Sequence, residues 1–170
     1  MNERAANPMQ AAAYLRNRNA AETHHTQVSV SFGERMDSGA LRNAWDLVCA
    51  THLVLRSKFT RSAAGEVTIQ DAPGAKTTWR ELDWQTLKPE EIPDKWESLQ
   101  KSDASDPFDP NSLVRFTEIQ LPGGASHFLL TLPSFLLDES SIARVLLDWL
   151  VALERQPTTP AEVLPPLAFA

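Results

Sequence analysis

The chain has 170 residues, of which 42% are hydrophobic and 22% charged, with a formal net charge of −6. That length suits one domain with its own hydrophobic core, and that composition is wrong for a disordered chain. The acidic balance, with no run of Lys or Arg, argues against nucleic acid, whose phosphates demand clustered cations. No apolar stretch reaches bilayer-spanning length and the polar start Met1-Asn2-Glu3-Arg4 is no signal peptide, so no membrane role and a cytoplasmic location are expected. The lone Cys49 can form neither an internal disulfide nor, by itself, a metal site.

Taken in chain order, Asn7-Pro8-Met9-Gln10 predicts a helix start, with Asn7 as the cap and Pro8 in the first turn. This helix runs to about Asn17 with Met9, Ala12 and Ala13 turned inward. From Thr26 to Phe32 the alternation of Val28, Val30 and Phe32 with polar residues predicts a half-buried strand. Asp37 or Ser38 opens a second helix, whose Leu41, Ala44, Trp45, Val48 and Cys49 share one face.

Leu55–Thr60 and Glu66–Gln70 read as a hairpin around Gly65, and Thr77–Trp84 as a further strand. A short helix is expected over Pro93–Lys101, and a loop over Asp106–Asn111 with its two prolines. The clearest hairpin joins Leu113–Leu121 to His127–Leu132 through Pro122-Gly123-Gly124. A final helix starts at Ser140 or Ser141 and places Ile142, Val145, Leu146, Trp149, Leu150 and Leu153 on one stripe. Beyond Arg155 the four prolines predict an extended linker. The organisation expected is therefore one subdomain over residues 1–155 and a proline-rich linker over 156–170 toward an absent second half. Strands mixed with helices give an α/β fold: a two-layer sandwich with a mixed, largely antiparallel sheet covered by helices.

Four segments, in order, carry a family resemblance. They are Pro8-Met9-Gln10; Thr51-His52-Leu53-Val54-Leu55-Arg56-Ser57-Lys58-Phe59; Pro107-Phe108-Asp109-Pro110 with Leu113-Val114-Arg115-Phe116; and His127–Leu132 followed by Pro133-Ser134-Phe135-Leu136-Leu137-Asp138-Glu139. Together they resemble the amino-terminal half of the condensation domains of nonribosomal peptide synthetases, which share the chloramphenicol acetyltransferase fold. In the second segment His52, Leu55, Arg56 and Phe59 match the family's RHExLRTxF pattern, while Thr51 and Leu53 depart from it. The fourth matches the active-site motif HHxxxDG only at Asp138. Pro133 and Ser134 stand where the family has its two histidines, and Glu139 replaces the glycine.

The resemblance implies acyl transfer, in which an amine on one carrier protein attacks a thioester on another through their phosphopantetheine arms. A group that takes up or orients the amine's proton suits a histidine, whose pKa lies near neutrality. A serine hydroxyl does not accept a proton at pH 7, so Ser134 is no substitute. It lacks a Gly-x-Ser-x-Gly elbow, and His127 lies too far along the same strand to activate it as a nucleophile.

The resemblance further implies a structural ion pair between Arg56 and Asp138. The alternative is that Asp138 caps the last helix beside Ser140, a role compatible with the first. The Asp-Glu ending is similar to that of degenerate condensation-like domains that recruit tailoring oxygenases to a carrier-bound peptide. The reading is a non-catalytic condensation-like half-domain. Its partners are a carrier protein or other synthetase domains, the missing carboxy-terminal half, or a second copy of itself. A fragment of an active amide-forming enzyme is the alternative, and a plain folded domain without a role in peptide assembly a third. The remaining candidates have structural readings: His24 and His25 in solvent before the first strand, His52 at a helix end, and Trp45, Trp96 and Trp149 in the core.

Overall fold

A computed structural model describes residues 3–19 and 24–156, and the elements take the following order. They are β1 (Glu3–Ala5), α1 (Pro8–Asn19), β2 (His25–Phe32), α2 (Ser38–Thr51), β3 (Ser57–Arg61), β4 (Val67–Asp71) and β5 (Thr78–Asp83), then α3 (Ile92–Ser105), β6 (Arg115–Gln120), β7 (Ser126–Pro133) and α4 (Glu139–Glu154). No helix among the described residues is long and apolar enough to cross a membrane. Of the linker expected over 156–170, only Gln156 falls within the described residues.

The strands divide between two sheets, a division that alternation of residue types does not foretell. The larger has the order β2-β7-β6-β5 and the smaller the order β1-β4-β3. In the larger sheet β2, β7 and β6 run antiparallel, while β5 lies parallel to β6. A parallel pair needs a crossover, and α3 supplies it. The sheet is thus mixed and largely antiparallel. The hairpin between β6 and β7 turns through Gly123 and Gly124, whose φ values of 78° and 83° only glycine adopts readily.

Helices α2 and α4 pack together over one face of the larger sheet, where the core is mostly aromatic. Trp149 of α4 is fully buried, its ring 5.0 Å from Phe116 and 6.1 Å from Trp45. On the other face lies α3, whose Trp96 ring stands edge-on to His127 at 4.3 Å. Because both faces are covered, β6 and β7 are buried along nearly their whole length. Burial also holds the pKa of His127 below its ordinary value, favouring the neutral ring that Ser31 meets at 2.7 Å.

Two expectations for α1 part company. The cap forms, with the Gln10 amide donating to the Asn7 side chain at 2.8 Å. Met9, however, is 80% exposed and Ala12 is exposed too. The buried side is set by Tyr14, which packs against Phe59 of β3 and Phe135, and that choice rotates Met9 outward. His25 also differs from its solvent reading: it opens β2 with its ring 5.0 Å from Phe108.

Candidate functional site

The site is built where β7 runs out. Pro133 is the last strand residue and sits opposite His25 in the register, so its missing N–H falls at a strand end, where proline is tolerated. The chain then turns through Ser134–Leu136, closed by the Leu136 amide donating to the Pro133 carbonyl at 2.9 Å. The Ser134 amide donates to the His24 carbonyl at 3.1 Å, and its side chain is exposed. Phe135, Leu136 and Leu137 turn inward and anchor the turn. Asp138 ends it as the cap of α4, and Glu139 is the helix's first, exposed residue.

Asp138 accepts from the Ser141 amide at 2.7 Å and from the Ser140 hydroxyl at 3.0 Å. Hydrogen bonds from the Ser141 side chain, then its backbone, then the Ser140 side chain hold the Asp138 carboxyl below its usual range. Arg56 does not join it. Instead its Nε lies 3.3 Å from Asp71 Oδ1, with a second approach of 3.4 Å to Oδ2. The reason is the β3–β4 ladder, which pairs Ser57 with Asp71 and so sets that carboxylate next to Arg56. The Arg56–Asp138 ion pair is therefore replaced by two separate arrangements: a strand-edge ion pair and a helix cap.

This geometry is open to a direct check. Arg56→Ala and Asp71→Ala are expected to couple by about 0.5–1 kcal/mol, as a partly exposed pair does. Arg56→Ala and Asp138→Ala are expected to be additive. A double-mutant cycle by urea denaturation that finds the larger coupling with Asp138 would contradict the arrangement.

Around the turn lies a groove of about 950 Å³. Ser134, Asp138 and Ser141 line it from the α4 side, and Met9 lines it from α1. Arg4 of β1 and Arg16 of α1 add two guanidinium groups, and neither makes an ion pair with a described carboxylate. The pattern-based strands do not include β1, so Arg4 has no place in the sequence-derived site. Its strand is three residues long and fully exposed, without the alternation that betrays longer strands.

No described histidine is hydrogen-bonded to Ser134. His127 faces Ser31, six residues along β7 from Pro133 and so roughly 20 Å away at strand spacing. His52 caps the end of α2 and bonds Asp148 of α4 at 2.8 Å, tying the two helices together. No cluster of three or more His, Cys, Asp or Glu able to hold a metal occurs among the described residues. Burial pushes the Cys49 thiol up to about 11, which suits a packing role.

A further polar cluster escapes the sequence motifs. Asp103, near the end of α3, is 1% exposed. Its Oδ1 lies 3.1 Å from Arg115 Nε and 3.3 Å from Arg80 Nη1, and Oδ2 accepts from Gln27 at 3.3 Å. Arg115 also donates to the backbone carbonyls of Asp103 and Asp106, at 2.5 and 2.9 Å, and its guanidinium covers the Phe108 ring at 4.5 Å. This cluster fixes the Pro107-Phe108 loop against β6. Its signal in the sequence is an arginine inside the apolar run Leu113-Val114-Arg115-Phe116, a position that demands a buried partner.

No family model matches the sequence, and no curated protein matches it. Solved structures do. The chain is similar to the first condensation domain of the CDA synthetase, with a TM-score of 0.76 and 16% identity over 89% of this chain and 40% of that one. It is similar to a variant of the starter condensation domain of the rhizomide synthetase RzmA, with a TM-score of 0.80 and 12% identity over 95% and 40% of the two chains. The cyclization-docking bidomain of the EpoB synthetase from Sorangium cellulosum gives 0.71 and 19%, over 95% and 33%. The chain thus spans at most 40% of the length of these three structures. It has the condensation-domain fold, in the portion that forms the amino-terminal half of those proteins.

Proposed function

We propose that the chain is the amino-terminal half of a condensation-like domain in a cytoplasmic nonribosomal peptide synthetase system, and that it acts by binding and not by catalysis. One observation carries this reading. At the strand end where the resemblance calls for a proton acceptor, Ser134 is exposed and has no described histidine bonded to it. An aliphatic hydroxyl cannot relay the amine's proton at neutral pH. The groove beside it keeps features suited to a guest: an apolar floor from Phe135, Leu136 and Leu137, two hydroxyls, and the cations of Arg4 and Arg16. A carrier protein's phosphopantetheine arm has matching chemistry, an amide-bearing apolar chain ending in a phosphodiester. Arginine pairs with that phosphate as a planar donor fork.

Titration calorimetry of this chain with a carrier protein, in the form bearing phosphopantetheine and in the form without it, tests the binding. The loaded form is expected to bind at least tenfold more tightly, with the difference lost in an Arg4→Ala, Arg16→Ala variant. Equal affinities would remove the support. Amide formation from carrier-loaded donor and acceptor is expected to be undetectable, with Ser134 as it stands or replaced by His. Turnover by the unaltered chain, alone or joined to a complementary second half, would establish the alternative of an active amide-forming enzyme.

A further inference from the structure

A second cavity does not belong to the groove described above. Its volume is about 520 Å³, within the range of roughly 300–1,000 Å³ typical of small-molecule sites. It lies between β3, the Pro107-Phe108 loop and the end of β7. Phe135 lines both spaces, whereas Ser134, Asp138, Arg4 and Arg16 line only the groove.

The walls are aromatic and already fixed. Phe59 is 7% exposed and held between Tyr14 and Phe135, with ring centroids 5.6 and 4.9 Å away. Phe108 is clamped from behind by the Arg115 guanidinium, itself locked by the buried Asp103 carboxylate. A guest therefore meets a surface that needs little ordering on binding, which favours affinity.

Two cations complete the lining. Lys58 and Arg61 both border the cavity, and neither has a carboxylate within ion-pair distance among the described residues. Side chains alternate along a strand, so Arg61 shares its face of β3 with Phe59 and Lys58 lies on the other. An apolar body among phenylalanine rings, with one anionic end at the Arg61 guanidinium, is the chemistry of a small carboxylic acid. Phosphate fits less well, because it is more strongly hydrated and would lie against mainly apolar walls.

We infer that this cavity binds a free aryl- or medium-chain alkanoic acid, with its apolar part against Phe59, Phe108 and Phe135 and its carboxylate at Arg61. The inference rests on no part of the carrier-binding reading. It is tested on the 170-residue chain with 3-phenylpropanoate, its neutral amide and inorganic phosphate, followed by amide-resolved NMR titration. The acid is expected to shift signals of β3 and the Pro107-Phe108 loop and to bind at least tenfold more tightly than the amide. An Arg61→Gln variant is expected to abolish that preference, and Phe108→Ala to weaken acid and amide alike. Absence of acid binding, equal binding of acid and amide, tighter binding of phosphate, or shifts confined to the Ser134 groove would each overturn it.

Discussion

Trp149→Ala is expected to destabilise the fold by about 3–5 kcal/mol, the cost of emptying an aromatic site in a close-packed core. The site is shared by four other elements that meet on the aromatic face of the larger sheet. Phe32 of β2, Trp45 of α2, Phe116 of β6 and Phe128 of β7 all place rings within 6.2 Å of the Trp149 ring. Its indole N–H also donates to the Leu41 carbonyl of α2 at 3.2 Å. Truncation therefore leaves a void and removes a link between α2 and α4 together. Domains of this size are stable by roughly 5–15 kcal/mol, so about a fifth or more of the total is at stake. Urea denaturation followed by circular dichroism measures it, and a loss below about 1 kcal/mol would contradict this packing. Trp149→Phe keeps much of the apolar contact but not the donor, and is expected to fall between the two.

Arg115→Ala is expected to cost a similar amount, about 3–5 kcal/mol, for a different reason: it strands a buried charge. Asp103 is 1% exposed, and without Arg115 it keeps only Gln27 and the more exposed Arg80. The Asp106 carbonyl loses its guanidinium donor as well, and the Asp103 carbonyl keeps only the Asp106 amide, at 3.3 Å. Replacing both charges by apolar residues, as Asp103→Leu with Arg115→Met, removes the unpaired group instead of exposing it. The double variant is expected to be more stable than Arg115→Ala alone. The same denaturation experiment decides, and a double variant that is the less stable of the two would show that the cluster contributes more than mutual neutralisation. Because Arg115 also backs Phe108, the single variant is expected to loosen the Pro107-Phe108 loop.

The elements most legible in the sequence are those whose burial is one-sided and periodic. The stripe Ile142, Val145 and Trp149 on α4, the Leu41–Val48 face of α2 and the β6–β7 hairpin all stand where periodicity puts them. The aspartate and serines ahead of α4 also speak plainly, because a cap is a local device: Asp138 and Ser141 meet three residues apart. What escapes is set by tertiary contact. The short β1 forms only because β4 offers it an edge, and Met9 turns outward because Tyr14 takes the buried side. Arg56 finds Asp71 through strand register, a relation between distant residues that no spacing rule contains. The resemblance to condensation domains supplies the fold correctly but misassigns this ion pair. A motif says which residues recur, and register decides which ones touch.

One main-chain oxygen holds this corner of the fold together. The His24 carbonyl accepts from the Asn17 side chain at 2.8 Å and from the Ser134 amide at 3.1 Å. It therefore joins the close of α1, the approach to β2 and the departure from β7 at a single atom. None of the three depends on the side chain at 133 or 134. Any residue but proline at position 134 can supply that amide, since the corner is held by the peptide backbone and one asparagine. Side-chain identity has little to grip there, whereas the path of the backbone does.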